Sequence, residues 1–333
     1  MRVSRQPAGT TSGHEGQPPT PVDAYKLDTE AGLSITVWTY GATLVDVRLT
    51  TESTGPSDNL VLRLKDLAAY EHRAGNPYIG STVGRFCRKV DSGRLVLDGH
   101  VHQLDLNDYG SHIHGGELGF DRYVWQAEVV EEPDQLALHL SLTSPHGDQG
   151  YPGEVKAETI YRVDSANRLT LEHRATTTSP TIVGMTNHSY WNLAGSGTID
   201  GQELHVNASR FLEFVDELPV PGPPAPTAGT PLDFTSPRKL ADCHVDNFFI
   251  LDDSSFAAEL YDSGSGRRMR VTTDQPGLAV FTADPPHLFS VPRTGLTLQA
   301  SAFPDAPNRP DFPSARLDPG QIYVSRTVHE FLS

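Results

Sequence analysis

Apolar and polar residues alternate with a period of two along much of the chain. Clear examples are LSITVWTY (33–40), GRLVLDGHVHQL (93–104), QLALHLSLTS (135–144) and RLTLEHRATTT (168–178). This alternation predicts half-buried β-strands, because successive side chains of a strand point to opposite faces of the sheet. Turn signals such as DSG (91–93) and SGSG (263–266) separate the strands at spacings typical of hairpins. The pattern therefore predicts an all-β sandwich or barrel.

Signals for other structure are few. DLAAYEHR (66–73) predicts one short helix, whereas PVPGPPAP (219–226) is too rich in proline for a strand ladder and is expected to form a surface loop. Residues 1–22 contain no apolar run and are expected to be a flexible leader. No composition shift divides the remaining residues, so 23–333 are predicted to form a single domain.

The charge balance limits the kinds of partner. The chain has 26 lysines and arginines against 42 aspartates and glutamates, a formal net charge of −16. Nucleic acids and anionic membranes attract basic surfaces, so neither is an expected partner, and the overall charge favours a neutral or cationic ligand. No segment is long and apolar enough to cross a bilayer. With only Cys87 and Cys243, a disulfide framework is not expected, and a cytoplasmic location fits.

Two histidines in SHIHGGELGFDRYVW (111–125) are separated by one residue. If this segment is a strand, His112 and His114 share one face of it. Such a pair is either a metal site or a hydrogen-bonded structural pair, and the motifs that usually accompany a metal are missing. The paired glycines that follow allow a backbone to come close to a ligand.

A second polar cluster is TNHSYWNLAG (186–195). Asn187 and His188 offer directional hydrogen bonds, and Tyr190 offers a flat apolar face of the kind that stacks on a sugar ring. Because a histidine titrates near neutral pH, His188 is either a proton donor or a buried structural histidine. Asp246 in HVDNFFIL (244–251) is either a ligand-binding carboxylate or a residue that satisfies backbone amides at the start of a strand.

Nine motifs carry a resemblance to a known family. In chain order they are GATLVDVRL (41–49), NPYIGSTVGRF (76–86), IHGGELGFDRYVW (113–125), SPHGDQGYPG (144–153), TNHSYWNLAG (186–195), TPLDF (230–234), DNFFIL (246–251), FPDAPN (303–308) and LDPGQIY (317–323). From about residue 30 to its end, the chain resembles the aldose 1-epimerase (galactose mutarotase) family. The resemblance implies a large antiparallel β-sandwich, the galactose mutarotase-like supersandwich, with a sugar site in an open cleft.

The resemblance also implies a reaction and residues for it. Members interconvert sugar anomers by general acid and base catalysis, without a cofactor or metal. His188 matches the acid that protonates the ring oxygen, His114 matches a second histidine that contacts the sugar, and Asp246 matches a carboxylate that binds its hydroxyls. Asn187 and Tyr190 are expected beside the substrate.

This sequence departs from the family pattern at four positions. Gln299 stands where the catalytic glutamate is expected, and a neutral amide cannot accept a proton as a carboxylate does. Arg88 and Lys89 stand where the family has asparagine and arginine, and Ala279 stands where a glutamine is expected. All four remain candidate site residues, Gln299 in the catalytic group and the others against the substrate.

Three functions remain open at this stage. The first is a divergent isomerase in which Asp305, Asp246 or a water held by Gln299 replaces the base. The second is a repurposed enzyme that catalyses a cyclisation, isomerisation or elimination on a less polar metabolite. The third is a non-catalytic carbohydrate-binding module. In each case the partner is a small sugar or sugar-like molecule, and the chain is a monomer or a homodimer.

Overall fold

Strands make up most of the regular structure in the computed structural model, which describes residues 1–14, 17–51, 55–56, 58–241, 243–253, 255–284 and 291–332. In chain order the strands are β1 (Arg2–Thr10), β2 (Pro21–Asp28), β3 (Leu33–Trp38), β4 (Thr43–Thr51), β5 (Gly55–Pro56), β6 (Thr82–Val83), β7 (Arg94–Leu97), β8 (His100–Gln103), β9 (Gln126–Glu132), β10 (Gln135–Ser144), β11 (Val155–Asp164), β12 (Arg168–Thr177), β13 (Thr181–Ile182), β14 (Thr186–Asn187), β15 (Tyr190–Trp191), β16 (Gln202–Val206), β17 (Arg210–Phe211), β18 (Phe214–Val215), β19 (Leu218–Pro219), β20 (Ala225–Pro226), β21 (Arg238–Lys239), β22 (Asp246–Ile250), β23 (Ala258–Asp262), β24 (Arg268–Thr273), β25 (Gly277–Phe281), β26 (Leu296–Ser301), β27 (Arg316–Leu317) and β28 (Tyr323–Leu332).

Helical structure is short. One α-helix, α1, covers Leu67–Glu71, and 3₁₀ turns cover Arg73–Gly75, Asp91–Gly93, Phe120–Arg122, Asp148–Gly150 and Ala306–Asn308. The predicted helix at 66–73 is confirmed. It begins at Asp66, whose side chain accepts a hydrogen bond of 3.0 Å from the backbone N–H of Ala69, as an N-cap residue does.

The described strands form three large sheets. One has the order β1-β2-β3-β4-β5, the second β21-β16-β23-β24-β28-β12-β11-β10-β9, and the third β15-β26-β25-β22-β17-β20. Their paired strands run antiparallel, and the long neighbours β10, β11 and β12 keep an unbroken register over most of their length. The predicted all-β antiparallel architecture is therefore confirmed.

The three sheets enclose one apolar core. Leu140 of β10, Leu298 of β26 and Ile35 of β3 come from different sheets and belong to the same buried cluster. The alternation seen in the sequence explains this arrangement, because every second side chain of a strand is apolar and enters the core. The opposite side chains of the same strands are then available for solvent or for a site.

The chain start differs from the predicted flexible leader. Residues Arg2–Thr10 form β1, which pairs with β2 from Arg2 opposite Asp28 to Thr10 opposite Pro21. The prediction of a flexible leader was wrong for this segment. It failed because β1 is the outermost strand of its sheet, and nearly all of its side chains are exposed, so the sequence shows no buried apolar pattern. Backbone hydrogen bonds hold such an edge strand, so its sequence needs no apolar pattern.

The proline-rich segment 219–226 also makes more backbone pairs than predicted. Ala225–Pro226 forms β20 and pairs with β17 at the edge of the third sheet. Proline is tolerated there because its missing N–H faces away from the neighbouring strand.

Arg85 joins two loops that flank the site. Its guanidinium is buried and donates to the Ser144 side chain, to the carbonyl of Ser144 and to the carbonyls of Pro145, Pro152 and Gly153 at 2.6–3.0 Å. Burial lowers the pKa of this guanidinium, so the hydrogen bonds must offset the cost of removing its charge from water. Arg85 thus fixes the segment that continues to Arg88.

We expect Arg85→Met to lower the free energy of unfolding by about 3–5 kcal/mol, because several buried carbonyl groups lose a charged donor at once. Urea unfolding measures the change. Arg94→Met is the matched control, since Arg94 is exposed on β7, and its loss should stay within about 0.5 kcal/mol. Equal losses in the two variants would contradict the anchoring role of Arg85.

Candidate active site

The outer face of the third sheet carries three of the predicted site residues. On β26, Leu298 enters the core, so Gln299 points to the opposite face. Ala279 of β25 lies directly opposite Gln299, and Asp246 begins the next strand, β22, opposite Phe281. The strand register therefore brings residues from three distant parts of the sequence onto one surface.

The same alternation places His188 on this surface. Trp191 of β15 belongs to the core, so Tyr190 faces the other way, opposite Thr297 of β26. His188 lies two residues before Tyr190, and the centroids of the two rings are 5.2 Å apart. His188 is 5% exposed, which places its imidazole at the bottom of the site.

His114 reaches the same place from a loop. Its ring meets that of His188 edge-on, with centroids 5.1 Å apart, and its Nδ1 donates to the carbonyl of Cys87 at 2.6 Å. His114 has a φ of 54°, which is strained for a residue other than glycine. A Cβ on the following Gly115 would lie 1.8 Å from the carbonyl oxygen of Gly84, so only glycine allows this loop to pack here.

The two histidines of the SHIH segment separate. The sequence placed His112 and His114 on one strand face, and this was wrong because the chain turns at His114. His112 is buried elsewhere, with Nδ1 2.7 Å from the carbonyl of Asp105 and Nε2 2.6 Å from the Tyr151 hydroxyl. Only His114 belongs to the site.

Arg88, Gln299 and His188 form a chain of hydrogen bonds. Nη2 of Arg88 donates a hydrogen bond to Oε1 of Gln299. Nε2 of Gln299 lies 3.2 Å from Nε2 of His188 and 3.2 Å from Oγ1 of Thr297. A guanidinium only donates, so it must meet the amide oxygen, and the amide nitrogen then faces His188. Because that nitrogen also only donates, Nε2 of His188 is the acceptor and carries no proton.

The surroundings of the histidines favour their neutral forms. Burial, and after it the charge of Arg88, lowers the pKa of His188 to about 3. Burial is also the main reason that the pKa of His114 lies well below its ordinary value, with the neighbouring His188 as the next cause. At pH 7 both imidazoles are neutral, and each presents an unprotonated Nε2.

Further charged residues lie beside the hydrogen-bonded Arg88, Gln299 and His188. Lys89 lies between Asp108, at 2.7 Å from its Nζ, and Glu217. The bridge ties the loop around Asp108 to the loop around Glu217. Asp246 stays exposed at the surface of the site, yet loss of hydration, and then the charge of Glu217, raises the pKa of its carboxyl group.

The remaining predicted substrate contacts have mixed surroundings. Asn187 donates to the carbonyl of Gly80 at 2.8 Å and to the Tyr161 hydroxyl at 3.1 Å, so its amide N–H groups already have partners. Tyr190 is buried and its hydroxyl donates to the carbonyl of Pro77 at 3.1 Å. Ala279 is 8% exposed and leaves an apolar surface beside Gln299.

Sequence reasoning missed Tyr78 and Arg73. The Tyr78 ring lies 4.5 Å from that of His114 and 5.8 Å from that of His188, and the Arg73 guanidinium stacks over it at 4.5 Å. Arg73 is itself paired with Asp121 at 2.9 Å. The available signal was the motif NPYIGSTVGRF, which holds Tyr78 and leads to Arg88, although the two lie ten residues apart.

Within the described ranges, no three His, Cys, Asp or Glu side chains come together as a metal-binding set. No helix in that part of the chain has the length and apolar character to span a membrane.

Comparisons with known proteins show the family of this chain. The family model described as Aldose 1-epimerase matches residues 23–330. Galactose mutarotase from Bos taurus is 32% identical over 337 residues, which cover 93% of this chain and 94% of that protein. Aldose 1-epimerase from Escherichia coli (strain K12) is 30% identical, over 96% of this chain and 97% of that protein.

Solved structures agree as well. Galactose 1-epimerase from Lactobacillus acidophilus NCFM has a TM-score of 0.86 at 26% identity, over 99% of this chain and 98% of that chain. The GalM/aldose epimerase homologue from C. elegans has a TM-score of 0.84, also at 26% identity, over 92% and 98%. The fold is thus that of the galactose mutarotase-like β-sandwich isomerases. The chain belongs to the aldose 1-epimerase family.

We expect stability to fall steeply as the pH decreases below 7. Burial lowers the pKa of His112, His173 and His329 to about 4 and that of His188 to about 3. The unfolded chain takes up these protons near pH 6.5 while the folded chain does not, so acid favours unfolding. The stabilisation is complete above pH 6.5 and is lost towards pH 4, by about 1.4 kcal/mol per pH unit for each histidine.

Urea unfolding between pH 7 and 5.5, above the titration range of ordinary carboxyl groups, measures this slope. His173→Gln should reduce the slope of stability against pH by the contribution of one bound proton. His100→Gln, at an exposed position of β8, should leave the slope unchanged. A stability that does not vary with pH in this interval would show that the buried histidines accept protons in the folded state.

Proposed function

We propose that the protein interconverts the anomers of a pyranose by opening and closing its ring, with His188 as the group that moves the proton. Family membership and the names of the relatives support this reaction. One observation carries the assignment to His188, namely that Gln299 donates to its Nε2 and leaves it a neutral acceptor at the centre of the site. A hydroxyl group of the substrate can take the place of the amide donor.

The proton balance needs only one imidazole. Nε2 of His188 accepts the proton of the C1 hydroxyl while the bond between C1 and the ring oxygen breaks, and the imidazolium then gives this proton to the ring oxygen. The products are the aldehyde and a free hydroxyl group. Rotation about the C1–C2 bond and the reverse steps give the other anomer. Both oxygens are bound to C1, so one nitrogen can reach each of them in turn.

This assignment changes the role that the resemblance implies for His188. In the family pattern a glutamate takes the first proton and the histidine supplies the second. Here Gln299 cannot take a proton, and Asp305 is occupied, because its Oδ1 accepts from the backbone N–H of Asp91 at 3.0 Å and from Asn308 at 2.7 Å. We therefore assign both steps to His188, first as the base and then as the acid, and give Asp246, which is exposed at the surface of the site, the role of binding hydroxyls.

The other site residues hold the sugar. His114 directs Nδ1 to the Cys87 carbonyl, so its free Nε2 accepts from a sugar hydroxyl. Asp246 accepts from hydroxyls at the open end of the site, and Tyr78 and Ala279 offer apolar contact to the ring. We place this activity in the cytoplasm, in a monomer or homodimer, which suits the free cysteines Cys87 and Cys243.

His188→Ala should reduce kcat/KM for anomer exchange by about 100-fold or more, because it removes the only group that moves the proton. NMR exchange spectroscopy measures the reaction on one neutral sugar, D-galactose, and on two acidic sugars, D-galacturonate and D-galactose 6-phosphate. His100→Ala is the control for a histidine outside the site and should match the wild type. A wild type that accelerates none of these sugars would contradict the proposed function, and an active His188→Ala would exclude His188 as the acting group.

Gln299→Glu restores a carboxylate, but we expect only a small gain in D-galactose exchange from this change. Arg88 would pair with the new carboxylate, lower its pKa and weaken it as a base. The double variant Arg88→Asn with Gln299→Glu removes this pairing and should exceed the single variant by about tenfold. Equal rates for the single and double variants would show that Arg88 does not control this position.

A further inference from the structure

The cations around the site differ in how they are compensated. Lys89 lies between the carboxylates of Asp108 and Glu217, and Arg73 lies 2.9 Å from Asp121. Arg88 has no carboxylate within 4.0 Å among the residues that the structure describes. It is thus the cation of the site that no carboxylate of the described residues contacts, although its charge still acts on the Asp246 carboxyl group and opposes the rise of its pKa.

The contacts of Arg88 make this lack of a carboxylate contact costly. Its side chain is half-buried, Nη2 donates to the neutral amide of Gln299, and Nε is buried without a hydrogen-bond acceptor. Partial removal of a guanidinium from water without a charged partner is unfavourable, and an anion that binds it offsets this cost. The planar fork of an arginine suits a carboxylate or a phosphate.

Two departures from the family pattern, Arg88 and Gln299, also make the charge at this place more positive. Arg88 adds a positive charge where asparagine is expected, and Gln299 removes a negative charge where glutamate is expected. Both changes meet in one hydrogen bond. The net charge of −16 belongs to the whole chain and is spread over its surface, whereas recognition depends on the charges within a few ångströms of the ligand.

We propose that the substrate is an acidic pyranose, whose carboxylate or phosphate group binds to Arg88. This inference rests on the proposed function, because it assumes that the anomeric centre lies at His188. The ring oxygen joins C1 to C5, so a group carried by C5 lies on the far side of that oxygen from C1. Gln299 contacts both His188 and Arg88, so we place C1 at His188 and this group beside Arg88.

An anion at Arg88 also assists the chemistry. The charge of Arg88 is one cause of the lowered pKa of His188. An anionic group that neutralises this charge raises the affinity of His188 for the proton of the C1 hydroxyl. An acidic sugar thus makes its own base stronger, and a neutral sugar does not.

Anomer exchange on three sugars tests the inference. For the wild type we expect kcat/KM to be at least about tenfold higher for D-galacturonate or D-galactose 6-phosphate than for D-galactose. The reason is the one charge-assisted contact that the anionic group makes with Arg88. The faster of the two acidic sugars identifies the anion as carboxylate or phosphate. Arg88→Gln should abolish the preference, Arg88→Lys should keep part of it because the charge remains, and Arg94→Gln on β7 should keep it whole.

The outcomes separate this inference from the proposed function. If the wild type accelerates D-galactose at least as well as both acidic sugars, the inference is wrong and the proposed function stands. If no sugar is turned over, calorimetric binding of D-galacturonate and D-galactose 6-phosphate decides. Binding that Arg88→Gln loses supports the anion site although the reaction fails, and absence of binding to both overturns it. Circular dichroism and urea unfolding confirm that each variant is folded.

Discussion

The direction of one hydrogen-bond chain sets the chemistry of this site. Arg88 can only donate, so it orients the amide of Gln299, and the amide in turn donates to His188. A carboxylate at position 299 would instead pair with Arg88 and leave His188 to find another partner. The neutral amide therefore does more than remove a base, because by donating to Nε2 of His188 it keeps that imidazole nitrogen free of a proton.

The β-sandwich makes this series of hydrogen bonds possible because rigid strands and anchored loops hold Arg88, Gln299 and His188. Gln299 lies on a strand whose alternate side chains are anchored in the core, and His188 lies just before another such strand. Arg88 and His114 come from loops, which are held by the buried Arg85 and by the close approach of Gly115 to Gly84. Such fixed positions favour proton transfer over short and constant distances.

The charge of the site and the charge of the chain have opposite signs. An acidic surface predicted a neutral or cationic ligand, whereas the guanidinium of Arg88 favours an anionic one. Screening by salt explains the difference, because distant surface charges contribute little inside a site whose nearest charges are only partly hydrated. The proposed changes of base and of preferred sugar class thus depend on two substituted residues that contact each other.

The sequence by itself determined the all-β class, the family and the alternation of apolar and polar residues along the long strands. His188 and Tyr190 lie in one short motif, so the sequence could assign them to one cluster, and the family resemblance showed the neutral Gln299 at the position of the expected glutamate. Only the tertiary structure decided that β1 is an ordered edge strand, that His112 leaves the site, and that Arg88 meets Gln299. Backbone pairing at an edge leaves no side-chain pattern, and the turn at His114 depends on packing against Gly84. Arg88 and Gln299 are 211 residues apart, and their contact follows from the assembled sheets and loops.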